Sequence, residues 1–223
     1  MSSLSSASVS ASSALGGNAA ATAWVSKLKT VPRKSGEASF FFYDSHFKNA
    51  AVKVLPGEYF VENEDLLIMT TLGSCIAACL WDRTAQVGGM NHFMLPEGNG
   101  ESGRYGSFAM ELLINEMMKR GANKGRMEAK VFGGGAVITG MNSLAVGERN
   151  TNFVLDYLKT ERIPVVSKDV LDVYPRKVCF LPKSGKAMVK RLASANEALV
   201  VQDQTAVTRV QPVASSGGSI DLF

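Results

Sequence analysis

Short apolar segments bounded by turn residues occupy the centre of this 223-residue chain, and only two stretches carry the periodicity of a helix. Apolar runs of roughly four to eight residues between turn signals are typical of buried strands. The predicted strands cover residues 66–72, 75–81, 87–95, 127–132, 163–168, 176–181 and 187–191. Two helices are too few to provide the crossovers of a doubly wound parallel sheet. The pattern therefore predicts an α+β fold, a layered sandwich of mixed sheets with two helices.

The two predicted helices lie on either side of the strand at 127–132. Ser107 is the expected N-cap of the first, which runs to Arg120 and stops at Gly121. Asn150 is a candidate N-cap for the second, which runs to Lys159. Each helix carries apolar residues along one side, so each is expected to pack against the sheet.

The two ends of the chain differ in composition from its centre. Residues 1–22 are dominated by Ser, Ala and Gly, which offer little apolar surface to offset the entropy of ordering. We expect a largely disordered N-terminal extension over 1–55, a globular domain over 56–192 and a flexible tail over 193–223. The aromatic residues at 40–43 are candidates for docking onto the core or onto a partner.

Charge and cysteine content limit the cellular compartment and the kinds of partner expected for this protein. The net charge of +4 is mild, and the basic residues lack the interleaved aromatic residues of a nucleic-acid platform. No run reaches the roughly 18 apolar residues that cross a bilayer, and the first residues do not form a signal peptide. Three cysteines without a secretory segment indicate a reducing compartment, so we expect a cytoplasmic protein with no nucleic-acid partner and no membrane insertion.

Cys75 and His92 form the one pattern that suggests covalent chemistry. Cys75 follows a Gly73-Ser74 turn, and the chain has only one other histidine, His46. An imidazole beside a thiol removes its proton and later returns it to a leaving group. Amide N–H groups around Ser74 would stabilise the oxyanion formed when the thiolate attacks a carbonyl. The alternative is that Cys75 is a small core residue and His92 a hydrogen-bonded buried histidine.

Two other chemical interpretations of these segments are weaker. Cys75, Cys79 and His92 resemble a zinc-ligand set, but on a strand the two thiols would lie about 13 Å apart, so zinc would need a helical segment there. Gly133-Gly134-Gly135 follows a strand as in a nucleotide-binding turn, yet no third fingerprint glycine or Gly-Lys-Ser follows. We therefore predict no metal and no cofactor, and a tight turn near the active site.

Four segments in order resemble the CheD family, the chemoreceptor glutamine deamidases of bacterial chemotaxis. They are Thr71–Asp82 (TLGSCIAACLWD), the His92 segment ending in Met94-Leu95-Pro96, the turn 132–135 and Gly147-Glu148-Arg149-Asn150. The resemblance covers about residues 56–192. It implies a CheD-like catalytic domain with an α/β/β sandwich similar to the catalytic domain of cytotoxic necrotizing toxins.

The resemblance also implies a Cys-His-Thr triad. Cys75 would be the nucleophile and His92 the acid and base, whereas Thr70 and Thr71 are both candidates for the threonine, with a slight preference for Thr70. On a strand these two residues face opposite sides. The residues assigned to substrate binding are Gly73, Ser74, Asn91, Gly133 and Gly134.

The implied activity is hydrolysis of selected glutamines to glutamate on the cytoplasmic helical region of methyl-accepting chemotaxis receptors, through a cysteine thioester. Cleavage of glutamyl methyl esters would be a side activity. The expected partners are those receptors and a CheC-type phosphatase, and the expected place is the cytoplasm or a receptor array. The alternative is a non-catalytic adaptor of the same fold that binds receptors or the phosphatase.

Overall fold

The computed structural model describes residues 8–95, 102–137 and 143–193. Three α-helices and ten strands are found there. The helices are α1 (Ser8–Thr30), α2 (Ser102–Lys119) and α3 (Ser143–Thr160). The strands are β1 (Phe40–Asp44), β2 (Asn49–Lys53), β3 (Tyr59–Glu62), β4 (Leu67–Leu72), β5 (Ile76–Asp82), β6 (Val87–Asn91), β7 (Met127–Gly133), β8 (Val165–Val170), β9 (Arg176–Leu181) and β10 (Lys186–Arg191).

The strands form two mixed five-stranded sheets. The first sheet has the order β3-β6-β5-β7-β8, and the second has the order β1-β2-β4-β9-β10. Only β7–β8 and β2–β4 pair in parallel, and the other neighbours are antiparallel. Since antiparallel neighbours need only short connections, two helices inside the sheet region are enough for the whole topology.

The central strand β5 of the first sheet is apolar on both faces because each face is covered. Along β5, Ile76, Ala78 and Leu80 pack with the apolar faces of α2 and α3. The alternate residues of the same strand pack against the second sheet. The layers are therefore α2 and α3, then the first sheet, then the second sheet.

These layers confirm the predicted α+β sandwich of mixed sheets. The predicted central strands match the structure to within a few residues, and β9 matches at both ends. Both predicted N-caps were wrong, because α2 and α3 begin several residues before Ser107 and Asn150 and place these residues inside the helices. None of the helices in the described ranges is long and apolar enough to span a membrane.

The N-terminal part of the chain is more ordered than its composition indicated. β1 and β2 are part of the second sheet, and α1 contributes Val25 and Leu28 to the core between the sheets. The prediction of disorder up to residue 55 was therefore wrong for these elements. Alanine, abundant in α1, favours a helix, and the apolar residues near its end gain burial against the sheet. Residues 1–7 and nearly all of the predicted tail lie outside the described residues.

Candidate active site

Cys75 and His92 lie on the same face of the first sheet, toward the second sheet. Ile76 and Phe93 exchange two backbone hydrogen bonds of 2.9 Å, and each follows one of the two site residues. Side chains alternate along a strand, and Ile76 and Phe93 both pack toward the helices. Cys75 and His92 therefore both point the other way, as diagonal neighbours across the strand pair, a separation that an aromatic side chain can span.

Thr70 reaches His92 from the second sheet. Its Oγ1 lies 2.9 Å from Nδ1 of His92 and 2.8 Å from the carbonyl oxygen of Val54. A carbonyl only accepts, so the hydroxyl donates to Val54 and accepts from Nδ1–H of the ring. The proton of the neutral imidazole is thereby placed on Nδ1, and Nε2 carries the lone pair.

His92 is held in its neutral form. Burial in the core lowers the pKa of His92 to about 4, outweighing the hydrogen bond to the Val54 carbonyl, which raises it. Its Nε2 atom is buried and has no hydrogen-bond partner in the described part of the chain. An uncharged ring with a buried lone pair is suited to accept a proton from a group brought beside it.

Thr71 lies on the other side of β4. The side chains of Ile68 and Leu72 join the core between the sheets, and Thr70, two residues from each, faces the same way. Thr71 is half-buried on the outer face and is therefore separated from His92 by the sheet. The geometry favours Thr70 over Thr71 as the residue that orients the ring.

Cys75 is fully covered, with 0% of its surface exposed. Tyr105, in the first turn of α2, belongs to its surroundings: burial raises the pKa of Tyr105, and the nearby charge of a Cys75 thiolate raises it further. A Cβ built on Gly57 would lie 3.5 Å from the Tyr105 hydroxyl, and the Gly57 amide donates to the carbonyl of His92. Tyr105 therefore lies near both site residues.

The turn that carries Cys75 is held by hydrogen bonds to its carbonyl groups. Gly73 and Cys75 accept from the amides of Gly135 and Gly134, each at 2.8 Å. Gly133 packs so closely that a Cβ there would lie 2.1 Å from the carbonyl oxygen of Cys75. The predicted tight turn therefore supports the cysteine turn directly, which places Gly73, Ser74, Gly133 and Gly134 together.

Asn91 does not lie with the other assigned substrate-binding residues. Its side-chain oxygen accepts from the amide of Ala78 at 3.0 Å, and its side-chain nitrogen donates to the carbonyl of Ala109 at 3.1 Å. Its neighbour His92 points between the sheets, so Asn91 points to the helix layer. This buried amide joins β5 to α2, and the assignment of Asn91 to substrate binding stays a prediction.

Asn150 is a site residue whose role the sequence did not indicate. From within α3 its side-chain nitrogen donates to the carbonyl of Ser74 at 2.9 Å, and its oxygen accepts from the amide of Leu95 at 3.0 Å. A capping residue was expected there, since asparagine commonly caps helices. The only sequence signal was that Asn150 ends one of the four recognised segments.

The loop before β9 supports the same region. The fully buried guanidinium of Arg176 donates to Asp169 and to the carbonyls of Leu171 and Tyr174. The Leu171 amide in turn donates to the carbonyl of Gly133 at 2.8 Å. The late loop therefore fixes the glycine turn through its backbone.

The zinc alternative does not fit this geometry. Residues 76–82 are a strand, so Cys75 and Cys79 are about 13 Å apart along it, too far to share a tetrahedral ion. No cluster of three or more metal-binding side chains occurs within the described ranges.

Comparison with known proteins agrees with the resemblance noted in the sequence. The family model for CheD, described as chemotactic sensory transduction, matches residues 94–191, and Cys75 and His92 precede that range. A protein of Albidiferax ferrireducens, named "Probable chemoreceptor glutamine deamidase CheD 1", is 61% identical over 202 residues, covering 89% of this chain and 86% of that protein. A protein of Dechloromonas aromatica with the same name is 51% identical, covering 82% and 93%. One of Shewanella oneidensis, also so named, is 48% identical, covering 82% and 92%.

Proposed function

This chain belongs to the CheD family, and from that premise we propose that it deamidates glutamine side chains of methyl-accepting chemotaxis receptors. The relatives named above carry the name chemoreceptor glutamine deamidase. The observation that carries the proposal for this chain is the contact between Thr70 and His92 Nδ1, which leaves a buried lone pair on Nε2 on the face that Cys75 shares.

The proposed reaction begins with proton transfer from the Cys75 thiol to Nε2 of His92. The thiolate attacks the carboxamide carbon of the glutamine, and the tetrahedral species collapses as the carbon–nitrogen bond breaks. His92 returns the proton to the leaving nitrogen, so ammonia departs and a thioester remains. His92 then takes a proton from water, whose oxygen attacks the thioester and releases glutamate and the Cys75 thiol.

The buried thiol sets a condition on this reaction. A glutamine on another protein reaches Cys75 only after part of its cover moves, because the thiol has no exposed surface. Once the site closes on the carboxamide, the same burial excludes water from the first step and strengthens the interactions with the developing charge.

The nature of the substrate follows from the reaction and from the names of the relatives. Deamidation converts a neutral amide into a carboxylate, and added negative charges on one helical surface repel one another. Glutamyl methyl esters would form the same thioester, so we include methyl ester cleavage as a side activity. A CheC-type phosphatase is the second proposed partner, and a non-catalytic adaptor for receptors or phosphatase is the competing function.

The test is the mass of the substrate. Purified protein is incubated with a receptor cytoplasmic fragment, and peptides are examined for a gain of about one dalton per converted glutamine, with ammonia measured in parallel. We expect the gain with the wild-type protein and its loss with Cys75→Ala. Trapping of a Cys75–substrate adduct would identify the nucleophile.

Cys179→Ala is the matched control, because it removes another thiol from the outer face of the second sheet. This variant should retain the activity. A receptor fragment that binds but shows no gain in mass with the wild-type protein would favour the adaptor, and an undiminished gain with Cys75→Ala would exclude Cys75 as the nucleophile.

A further inference from the structure

Asn150 lies where the pairing of two strands is interrupted beside the nucleophile. Ile76 and Phe93 form a pair that exchanges both backbone hydrogen bonds. In an antiparallel ladder the next pair of this kind lies two residues further, at Ser74 and Leu95. At that position the Leu95 amide donates to the Asn150 side chain, and the Asn150 side chain donates to the Ser74 carbonyl.

The side-chain amide therefore takes the place of a direct bond between the strands. It supplies one acceptor and one donor, which are what the Leu95 N–H and the Ser74 carbonyl require. Inserting an amide between two backbones also sets them further apart than a direct hydrogen bond would. The carbonyl of Leu95 accepts from Arg149 at 3.2 Å, so α3 holds the same residue at both of its backbone groups.

Cys75 lies between the two fixed positions. Its neighbour Ile76 is held by the strand pair, and its neighbour Ser74 is held by Asn150. His92 directly precedes Phe93 on the facing strand. The backbone pair that includes Phe93 therefore holds both site residues, and the side-chain bridge holds the cysteine from its other side. The position of Sγ relative to Nε2 depends on both.

We infer that Asn150 is a positioning residue for the proposed deamidation. By separating Ser74 from Leu95 through a fully buried amide, it fixes where the Cys75 thiol stands relative to His92. This inference rests on the proposed function for its kinetic consequence, but the geometry of the thiol is measurable without a substrate.

The test replaces single atoms of the amide. Asn150→Asp keeps an acceptor for the Leu95 amide and removes the donor to Ser74, and Asn150→Ser shortens the side chain and leaves room for a water. Asn152→Asp is the control, since it makes the same change at an exposed position on the same helix. Thermal melting and circular dichroism measure the folded fraction of each variant. If Asn150→Asp does not fold, Asn150→Ser provides the test.

The readouts are the split between kcat and KM and the reactivity of the thiol. Displacing a nucleophile by about 1 Å costs on the order of 100-fold in rate. We expect kcat per folded molecule to fall by about that factor in the Asn150 variants, with KM within about threefold. Alkylation of Cys75, followed by mass spectrometry, should shift to higher pH because the displaced thiol loses the imidazole beside it. Asn152→Asp should match the wild-type protein.

Two outcomes would overturn the inference: wild-type kcat per folded molecule in the Asn150 variants, or an unchanged pH dependence of Cys75 alkylation. Failure of the proposed function is a separate result. If the wild-type protein releases no ammonia from receptor fragments, the alkylation profile alone decides whether Asn150 positions the thiol.

Discussion

Thr70 and His92 are joined across the interface of the two sheets, with Thr70 Oγ1 2.9 Å from Nδ1 of the ring. Thr70 lies on β4 of the second sheet, and His92 follows β6 of the first sheet. The hydroxyl also donates to the carbonyl of Val54, so it can only accept from the ring. The second sheet thus fixes the orientation and the tautomer of a histidine whose neighbouring thiol belongs to the first.

We expect Thr70→Val to impair catalysis more than folding. Valine matches threonine in shape, but it cannot accept from Nδ1–H, so the ring loses the contact that orients Nε2. The value of kcat should fall by about 10- to 100-fold, with a smaller change in KM. Steady-state ammonia release from receptor fragments, corrected for the folded fraction, measures this.

Thr71→Val is the matched control for that change. The two threonines are adjacent on β4, but Thr71 is on the outer face, away from the ring. Its kcat should stay within about twofold of the wild-type value. Equal losses in both variants would show that the threonine acts through the strand and not through the imidazole.

The low pKa of His92 makes folding stability depend on pH. The folded-state pKa of about 4 lies below the value of roughly 6.5 for an unfolded chain. The unfolded chain therefore binds the additional proton, and the stabilising contribution present above pH 6.5 is lost as the pH falls toward 4. Between pH 7.5 and 5 this single group should cost about 2 kcal/mol of unfolding free energy.

Urea unfolding of His92→Gln at both pH values isolates this contribution. The variant should lose about 2 kcal/mol less than the wild-type protein over the same interval. His46, the other histidine, is exposed, so His46→Gln should leave the wild-type pH dependence in place. Parallel pH curves for wild type and His92→Gln would mean that folding leaves the pKa of the ring at its unfolded value.

Local sequence patterns were sufficient for the strands from β4 to β10, but they missed β1, β2 and β3 and could not decide between adjacent residues. The apolar run of β9 lies between turn residues, and this marks both of its ends. Alternation along β4 shows that Thr70 and Thr71 face opposite sides, yet which side is the inner one depends on pairing with β2 and β9. Only tertiary structure supplies that information.

The roles of the two buried asparagines could not be predicted from the sequence either, because they also depend on tertiary structure. Asn91 and Asn150 each replace a backbone partner at a place where strand pairing is interrupted. Residue type alone indicates a capping or a ligand-binding role for asparagine. A break in a ladder is a property of two chain segments together, and it has no counterpart in either segment alone.

Asp82 should be the main acid-sensitive contact at the far end of β5. Its buried carboxylate accepts from three backbone amides, including that of Asn123 at 2.8 Å, and is paired with Arg126. These donors hold the pKa of Asp82 at about 2 despite burial, which raises it. Because the folded-state pKa lies below the unfolded value, the stabilisation is present above about pH 4 and is lost as the pH falls toward 2.

Asp82→Asn should therefore lower the unfolding free energy by about 2 kcal/mol at pH 7. The difference from the wild-type protein should shrink between pH 4 and 2, which urea unfolding at several pH values measures. Asp65→Asn at an exposed position is the control and should stay within about 0.5 kcal/mol. A difference for Asp82→Asn that is independent of pH would assign the loss to packing.

Alanine substitutions at Gly133 and Gly121 distinguish the cost of backbone strain from the effect of displacing the nucleophile. Both adopt left-handed backbone conformations, with φ of 114° and 94°, which disfavour any side chain. A Cβ on Gly121 would meet nothing within 4 Å, whereas on Gly133 it would lie 2.1 Å from the carbonyl oxygen of Cys75.

Gly121→Ala should cost about 1–3 kcal/mol of stability and leave kcat unchanged. Gly133→Ala should add a fall in kcat of about 100-fold per folded molecule, since the carbonyl and the attached thiol must move. Thermal melts and ammonia release measure the two effects separately, and a normal kcat for folded Gly133→Ala would show that the glycine turn does not determine the position of Cys75.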